Sequence, residues 1–271
     1  MIIDTALRMK CFPAYFVKPQ FILACVCIAY YDAGAADAAT EARRQTWVEQ
    51  ASAGLDARAI AALHRIVGTD RRLLAVRAYL RAGDSLDARW SWSQDEISAY
   101  ASTPEGAAAA ADIDAVLAAF AAANPGFTLR VNRMPRSLEV QLARWNDNPS
   151  VSVVAAALVR SLEQRFGSSA GAPDAAALRG ALMNWTPGVA APLAAPGLSA
   201  HGQARAFDFQ VEHHGRVIAG IESASAQRQW DAAGWTHKLH AAVIEAGGHF
   251  SGPLASPYEP WHYAYTPPAA P

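Results

Sequence analysis

Between Thr40 and Phe120 the apolar positions fall at helical spacing. Leu55, Ile60, Leu63 and Ile66 make one stripe and Leu73, Leu74, Val76 and Leu80 a second, with Gly68 and Gly83 punctuating the segments. Ser93, three residues before Glu96, predicts a helix start closed by a capping box, in which the serine hydroxyl and the glutamate carboxylate each take one orphan backbone N–H. Trp90 and Trp92, just before that start, are expected as core or staple residues rather than a platform for a glycan. The run from Ala107 to Ala123 is alanine-rich, a composition that favours helix without forming a repeat.

The pattern changes at the turn Asn124-Pro125-Gly126. Phe127 to Val131 alternates as a short strand, and Leu138 to Trp145 returns to helical spacing. Ser168 to Pro196 is rich in Gly, Pro, Ala and Ser and reads as a long surface connection with a short helix at Asp174 to Met183. Ala206 to Val211 is a strand, His213-His214-Gly215 a turn, and Val217 to Ile221 the returning strand of a hairpin. Trp235 to Ala246 is an amphipathic helix stopped by Gly247. These elements predict an α+β fold, a small antiparallel sheet flanked by helices, behind an N-terminal helical extension.

Composition narrows the class. A chain of 271 residues, 52% hydrophobic and 17% charged with a net charge of −1, fits a globular protein with room for a sizeable core and has no basic excess to suggest nucleic acid. The first residues read as an export leader: Arg8, Lys10 and Lys18 carry positive charge, Phe21 to Tyr31 is an apolar run too short to span a bilayer, and Ala33-Gly34-Ala35 offers small residues for cleavage. The expected organisation is therefore a signal peptide over 1–35, a helical region over 36–123 and a second domain over 124–271, with no transmembrane span in the mature chain. Cys11, Cys25 and Cys27 all fall in the leader, so the mature chain has neither disulfides nor thiol ligands and any metal must be held by histidine and carboxylate.

Two stretches supply such groups. In Ser199 to Asp208, SAHGQARAFD, His201 and Asp208 are candidate ligands of a divalent ion. In Glu259 to His262, EPWH, His262 is a candidate third ligand and Glu259 a candidate base. Three N and O ligands with a vacant position are the make-up of an open catalytic zinc site. In an extended strand Asp208 points away from Phe207 and Phe209, so the carboxylate can face a cleft while both rings enter the core. Pro260 keeps Glu259 and His262 off a helix interior and favours a rigid turn or an extended segment. His213 and His214, adjacent at a turn, are assigned to solvent, and His249 to a structural or supporting role.

Together the two stretches resemble the signatures S-x-H-x-x-G-x-A-x-D and E-x-W-H of the D-alanyl-D-alanine carboxypeptidase branch of the M15 metallopeptidases. Ser199, His201, Ala206, Asp208, Glu259, Trp261 and His262 match, and Ala204 stands where that family usually has glycine. The likeness extends to Arg136, Ser137 and Gln141, and covers Phe127 to Tyr265. It implies a hedgehog/DD-peptidase-like fold, Zn2+ on His201, Asp208 and His262, Glu259 as base, and Arg136 as the donor to the scissile carbonyl, with Arg130 and Arg133 as rivals for that role. It further implies Ser199 and Gln141 at the substrate and peptidoglycan stem or cross-link peptides as that substrate, cut next to D-amino acids. The protein would then be a hydrolase of the cell wall, exported to the periplasm or cell envelope. The alternative that the resemblance allows is a non-catalytic zinc-binding cell-envelope module of the same fold.

Overall fold

The structure, a computed structural model, describes residues 37–167, 173–189, 191 and 193–268. The expected leader, with its three cysteines, its basic residues and its cleavage site, lies outside the described residues. The chain divides into a unit ending at Arg43, whose described residues are helical, and a compact unit from Arg44 onward.

The second unit is α+β. Its helices are α1 over 44–52, α2 (Ala57–Arg65), α3 (Thr69–Ala82), α4 (Leu86–Arg89), α5 (Gln94–Tyr100), α6 (Pro104–Ala123), α7 (Leu138–Asp147), α8 (Pro149–Phe166), α9 (Ala175–Asn184) and α10 (Trp235–Ala246). Its strands are β1 (Phe127–Val131), β2 (Ala206–His213), β3 (Arg216–Ala219), β4 (Phe250–Ser251) and β5 (His262–Tyr265). They form one antiparallel sheet in the order β1-β2-β5-β4, with β3 also paired to β2.

Local chemistry explains most boundaries. Ser93 caps α5 and Glu96 completes the capping box, Gly126 turns into β1 at φ 87°, and Gly247 ends α10 in the left-handed region. The hairpin turn places His214 and Gly215 at φ 48° and 73°, the conformation a two-residue turn between twisted strands requires. One long element escapes the sequence reading, which assigns nothing to 149–166. Asn148 accepts from the N–H groups of Ser150 and Val151, Pro149 opens the first turn, and Val151, Val154, Ala155, Leu158, Val159 and Leu162 are buried along one stripe. The helical period was present there; only the crowding of turn residues on both sides obscured it.

Two cores fill the unit. One gathers Trp47, Leu63, Leu73, Val76, Tyr79 and Trp90 with Leu142, Leu158, Leu162, Leu182 and Leu198, so α1–α4 pack with α7–α9. The other gathers Ile113, Val116 and Phe120 with Phe207, Phe209, Trp230, Leu239, Trp261 and Tyr263, so α6 and α10 pack on the sheet. The expected boundary at residue 124 is thus no break in packing, because the first core draws residues from both sides of it. Helix α6 is the one described helix long and apolar enough to cross a membrane by composition; its buried Ile113, Val116 and Phe120 seat it in the second core. Leu198 belongs to the first core and Ala204 to the second, so His201 sits on the short segment where the cores meet.

Candidate metal centre

The sheet register builds half of the site. Asp208 on β2 stands directly opposite His262 on β5, and cross-strand partners project their side chains from the same face about 5 Å apart. Phe207 and Phe209, on the opposite face, are 2% and 0% exposed, so the alternation drives both rings into the core and leaves the carboxylate facing out. The chain before β5 is held by reciprocal backbone bonds: Leu254 N–H donates to His262 O (3.1 Å), Glu259 N–H to Leu254 O (2.9 Å) and His262 N–H to Glu259 O (3.1 Å). Glu259 and His262 therefore arrive from a tight extended turn, as Pro260 demands.

His201 comes from a single 3-10 turn, Ala200–Gln203. Its carbonyl accepts the Arg136 N–H (2.8 Å), the next carbonyl, that of Gly202, accepts the Trp92 N–H (3.0 Å), and Arg205 N–H closes the turn on Ala200 O (2.9 Å). Ala204 follows at φ 52°, ψ 33°, in the left-handed region where an L-residue is strained by about 1–2 kcal/mol and glycine is not.

The three side chains converge. His201 Nε2 lies 3.4 Å from Asp208 Oδ2 and His262 Nδ1 lies 3.0 Å from Asp208 Oδ1, and the candidate donor atoms all fall within 4.8 Å of one another. Ligands held ~2.0–2.1 Å from a tetrahedral ion are separated by roughly 3.4 Å along each edge; the two imidazoles approach the two different oxygens of Asp208 at distances of that order, one on each side of the carboxylate. Glu259 Oε2 stands 3.7 Å from His262 Nδ1. All four side chains are only 14–16% exposed. Among the described residues this is the one group that could hold a metal ion.

Burial sets the electrostatics. It pushes the His201 imidazole down to about 3, with Asp208 opposing and Arg136 and His262 adding to the shift, so this ring is neutral and its lone pair is free at neutral pH. Burial also raises the Glu259 carboxyl, only partly offset by His262 and Arg136, which makes it a better proton acceptor. For Asp208 burial works upward, but the His262 hydrogen bond and the neighbouring His201, His262 and Arg136 outweigh it and hold the carboxylate ionised.

A cleft of about 410 Å³ opens over the cluster. Arg136, Gln141, Ser199, His201, Asp208, Glu259 and His262 all line it. Arg136 reaches it from the loop before α7, and its Nη2 donates to Asp208 Oδ2 at 3.2 Å, so the guanidinium braces the carboxylate. The Gln141 amide is fully engaged: Nε2 donates to Ser91 Oγ (2.8 Å) and to Arg136 O (2.8 Å), and Oε1 accepts the Gly197 N–H (3.0 Å). Gln141 thus ties three segments together behind the cleft. Arg130 lies 3.9 Å from Glu212 and Arg133 is paired with Asp114, so neither rival enters the site. His213 stacks on Phe127, His214 is exposed, and His249 Nδ1 sits 2.9 Å from Asp112 Oδ2.

Sequence reasoning missed the part played by residues 90–92. Ser91 N–H donates to Gly197 O (2.8 Å), and the Trp90 ring packs so close that a Cβ on Gly197 would lie 2.6 Å from it. A Cβ on Gly202 would lie 2.0 Å from Ser91 Oγ. The N-terminal helical half therefore backs the loop that carries Ser199 and His201. Contacts across roughly a hundred residues of chain leave no local signal.

No protein-family model, no curated protein and no solved structure matches this chain.

Proposed function

We propose that this chain is a zinc-dependent peptidase acting on peptidoglycan stem or cross-link peptides next to D-amino acids, in the manner of the M15 carboxypeptidases, and that it works in the periplasm or cell envelope. The observation that carries the reading is the convergence of His201, Asp208 and His262 beside the buried carboxyl of Glu259 in one cleft. A divalent zinc ion held there supplies Lewis acidity toward the scissile carbonyl and lowers the pKa of water.

The protein's own groups would do the rest. Glu259, raised in pKa by burial, takes the proton of the attacking water and returns it to the leaving amine. Arg136 holds Asp208 in place with one N–H and has further donors for the oxygen on which negative charge builds. Ser199 offers a hydroxyl on the cleft wall. His201, neutral well below pH 7, needs no proton removed before it serves as a ligand.

The test is metal content of the full chain as wild type, His262→Ala and Glu259→Ala, followed by mass spectrometry of cell-wall peptides incubated with each. Near-stoichiometric zinc lost in His262→Ala, with cleavage lost but zinc kept in Glu259→Ala, is the expected result. Zinc without cleavage leaves the non-catalytic module of the same fold, and a well-folded wild type without zinc overturns the site.

A further inference from the structure

Two arginines line the cleft, and only one is committed. Arg136 donates to Asp208. Arg144, exposed on α7, faces the same cleft, and among the described residues no carboxylate lies within ion-pair distance of its guanidinium. Its placement is framed by bonds that leave α7 little freedom. Gln141, three residues earlier on the same face, is 6% exposed and bonded to Ser91, Gly197 and Arg136. At the far end the Asn148 N–H donates to Arg144 O at 3.1 Å. The two guanidinium groups feel each other: after burial, the charge of Arg144 is the next cause that lowers the Arg136 pKa.

Two positive groups on one cleft wall repel each other, and an anion bound between them relieves that repulsion. The charge balance of the cleft points the same way. Arg136 and Arg144 offset Asp208 and Glu259, so a bound divalent cation leaves the site net positive. A peptide backbone is neutral and gains from that field only through its dipoles. A carboxylate gains through its charge, and the planar fork of arginine matches it with two parallel hydrogen bonds.

We propose that Arg144 is an anion-binding subsite of the cleft, and that the substrate presents a carboxylate to it beside the scissile bond. The proposal rests on the peptidase reading and adds to it the recognition element that selects the substrate. The carboxylate has two possible sources, the free C-terminus of the peptide or an acidic side chain within it. The first ties cleavage to a free chain end, as in a carboxypeptidase, and the second leaves the chain end unread.

The experiment compares three probes on the zinc-loaded full chain: an acetylated Lys-D-Ala-D-Ala peptide as free acid, the same peptide as C-terminal amide, and the amide with an added D-glutamate side chain. Each is run with wild type, Arg144→Ala and Arg144→Lys, and zinc content is measured throughout. The expected result is a preference for one carboxylate-bearing probe over the neutral amide of roughly 10- to 100-fold, expressed mainly in KM. That preference collapses to within about threefold in Arg144→Ala with zinc unchanged, and returns in part in Arg144→Lys. Which probe is preferred assigns the source. Equal cleavage of all three by wild type, or a preference untouched in Arg144→Ala, overturns the subsite and leaves the peptidase. A wild type that holds zinc yet neither cleaves nor binds any probe overturns both.

Discussion

Gly202→Ala tests whether the N-terminal half sets the metal loop. The added Cβ would lie 2.0 Å from Ser91 Oγ, 2.6 Å from Ser91 Cβ and 2.9 Å from Gln141 Nε2, whereas nonbonded carbon and oxygen settle at roughly 3.5 Å. Gly202 is not among the glycines at positive φ, so the cost is steric rather than conformational. Relief requires roughly 1 to 1.5 Å of movement, either of residues 90–92 or of the turn carrying His201. Overpacking of this kind costs about 1–3 kcal/mol, and loss of the buried Gln141–Ser91 hydrogen bond adds about 1 kcal/mol. Because metal–ligand distances tolerate only about 0.2 Å, zinc affinity should fall by roughly 10- to 100-fold, the usual effect of disturbing groups that orient ligands. Competition with a chromophoric chelator gives the affinity, and circular dichroism of the metal-free form gives the Tm. The double variant Ser91→Gly with Gly202→Ala removes both Ser91 atoms from the clash, and should recover much of the lost affinity. Zinc binding within threefold of wild type in Gly202→Ala, at unchanged Tm, would refute the steric coupling.

Other predictions follow from single residues. His201 has its pKa lowered from 6.5 to about 3 by burial, so as pH falls from 6.5 toward 3 the unfolded chain takes a proton that the folded metal-free protein refuses. Stability is therefore lost on acidification, by at most about 1.4 kcal/mol per pH unit for this group; Asp208, also lowered, adds its loss only below about the ordinary aspartate value of 3.8. Urea melts between pH 6.5 and 4.5 should show this slope in wild type and a shallower one in His201→Asn, and equal slopes would dismiss the assignment. Ala204→Gly relieves about 1–2 kcal/mol of left-handed strain but gives back a similar amount in chain entropy and lost methyl burial, so Tm should hardly move. Ala155→Gly, fully buried inside α8, has no strain to relieve and should cost about 2 kcal/mol in urea. Chelation of bound zinc should lower Tm reversibly, with zinc at a hundred times its Kd worth about 2.7 kcal/mol; a Tm indifferent to chelator at full metal removal would mean that the ion does not bind the folded site.

The secondary structure was legible wherever one rule acted over one stretch. The capping box at Ser93 and Glu96, the turn at Asn124-Pro125-Gly126, strand β1 and helix α10 each follow from residues a few positions apart, and each stands where the pattern puts it. The alternation around Asp208 likewise foretold two buried rings and an outward carboxylate. Helix α8 was readable in principle from its apolar period, yet the sequence reading assigned nothing to it.

The residues alone were enough for the α+β class, for elements such as α5, α7, α10, β1 and the β2–β3 hairpin, and for a set of histidines and carboxylates able to take a metal, but not for α8, β4 or β5. Folding in three dimensions brought those groups together: the register that sets Asp208 against His262, the burial that shifts His201 and Glu259, the engagement of Gln141 in holding the loops, and the placement of Arg136 at the cleft while Arg130 and Arg133 pair elsewhere. It also joined the two halves of the unit through Ser91, Gly197 and Gly202. The physical reason is range: backbone propensity and side-chain period act over a few residues and are written locally, whereas desolvation, ion pairing and steric exclusion depend on which distant segments the fold brings within a few ångströms.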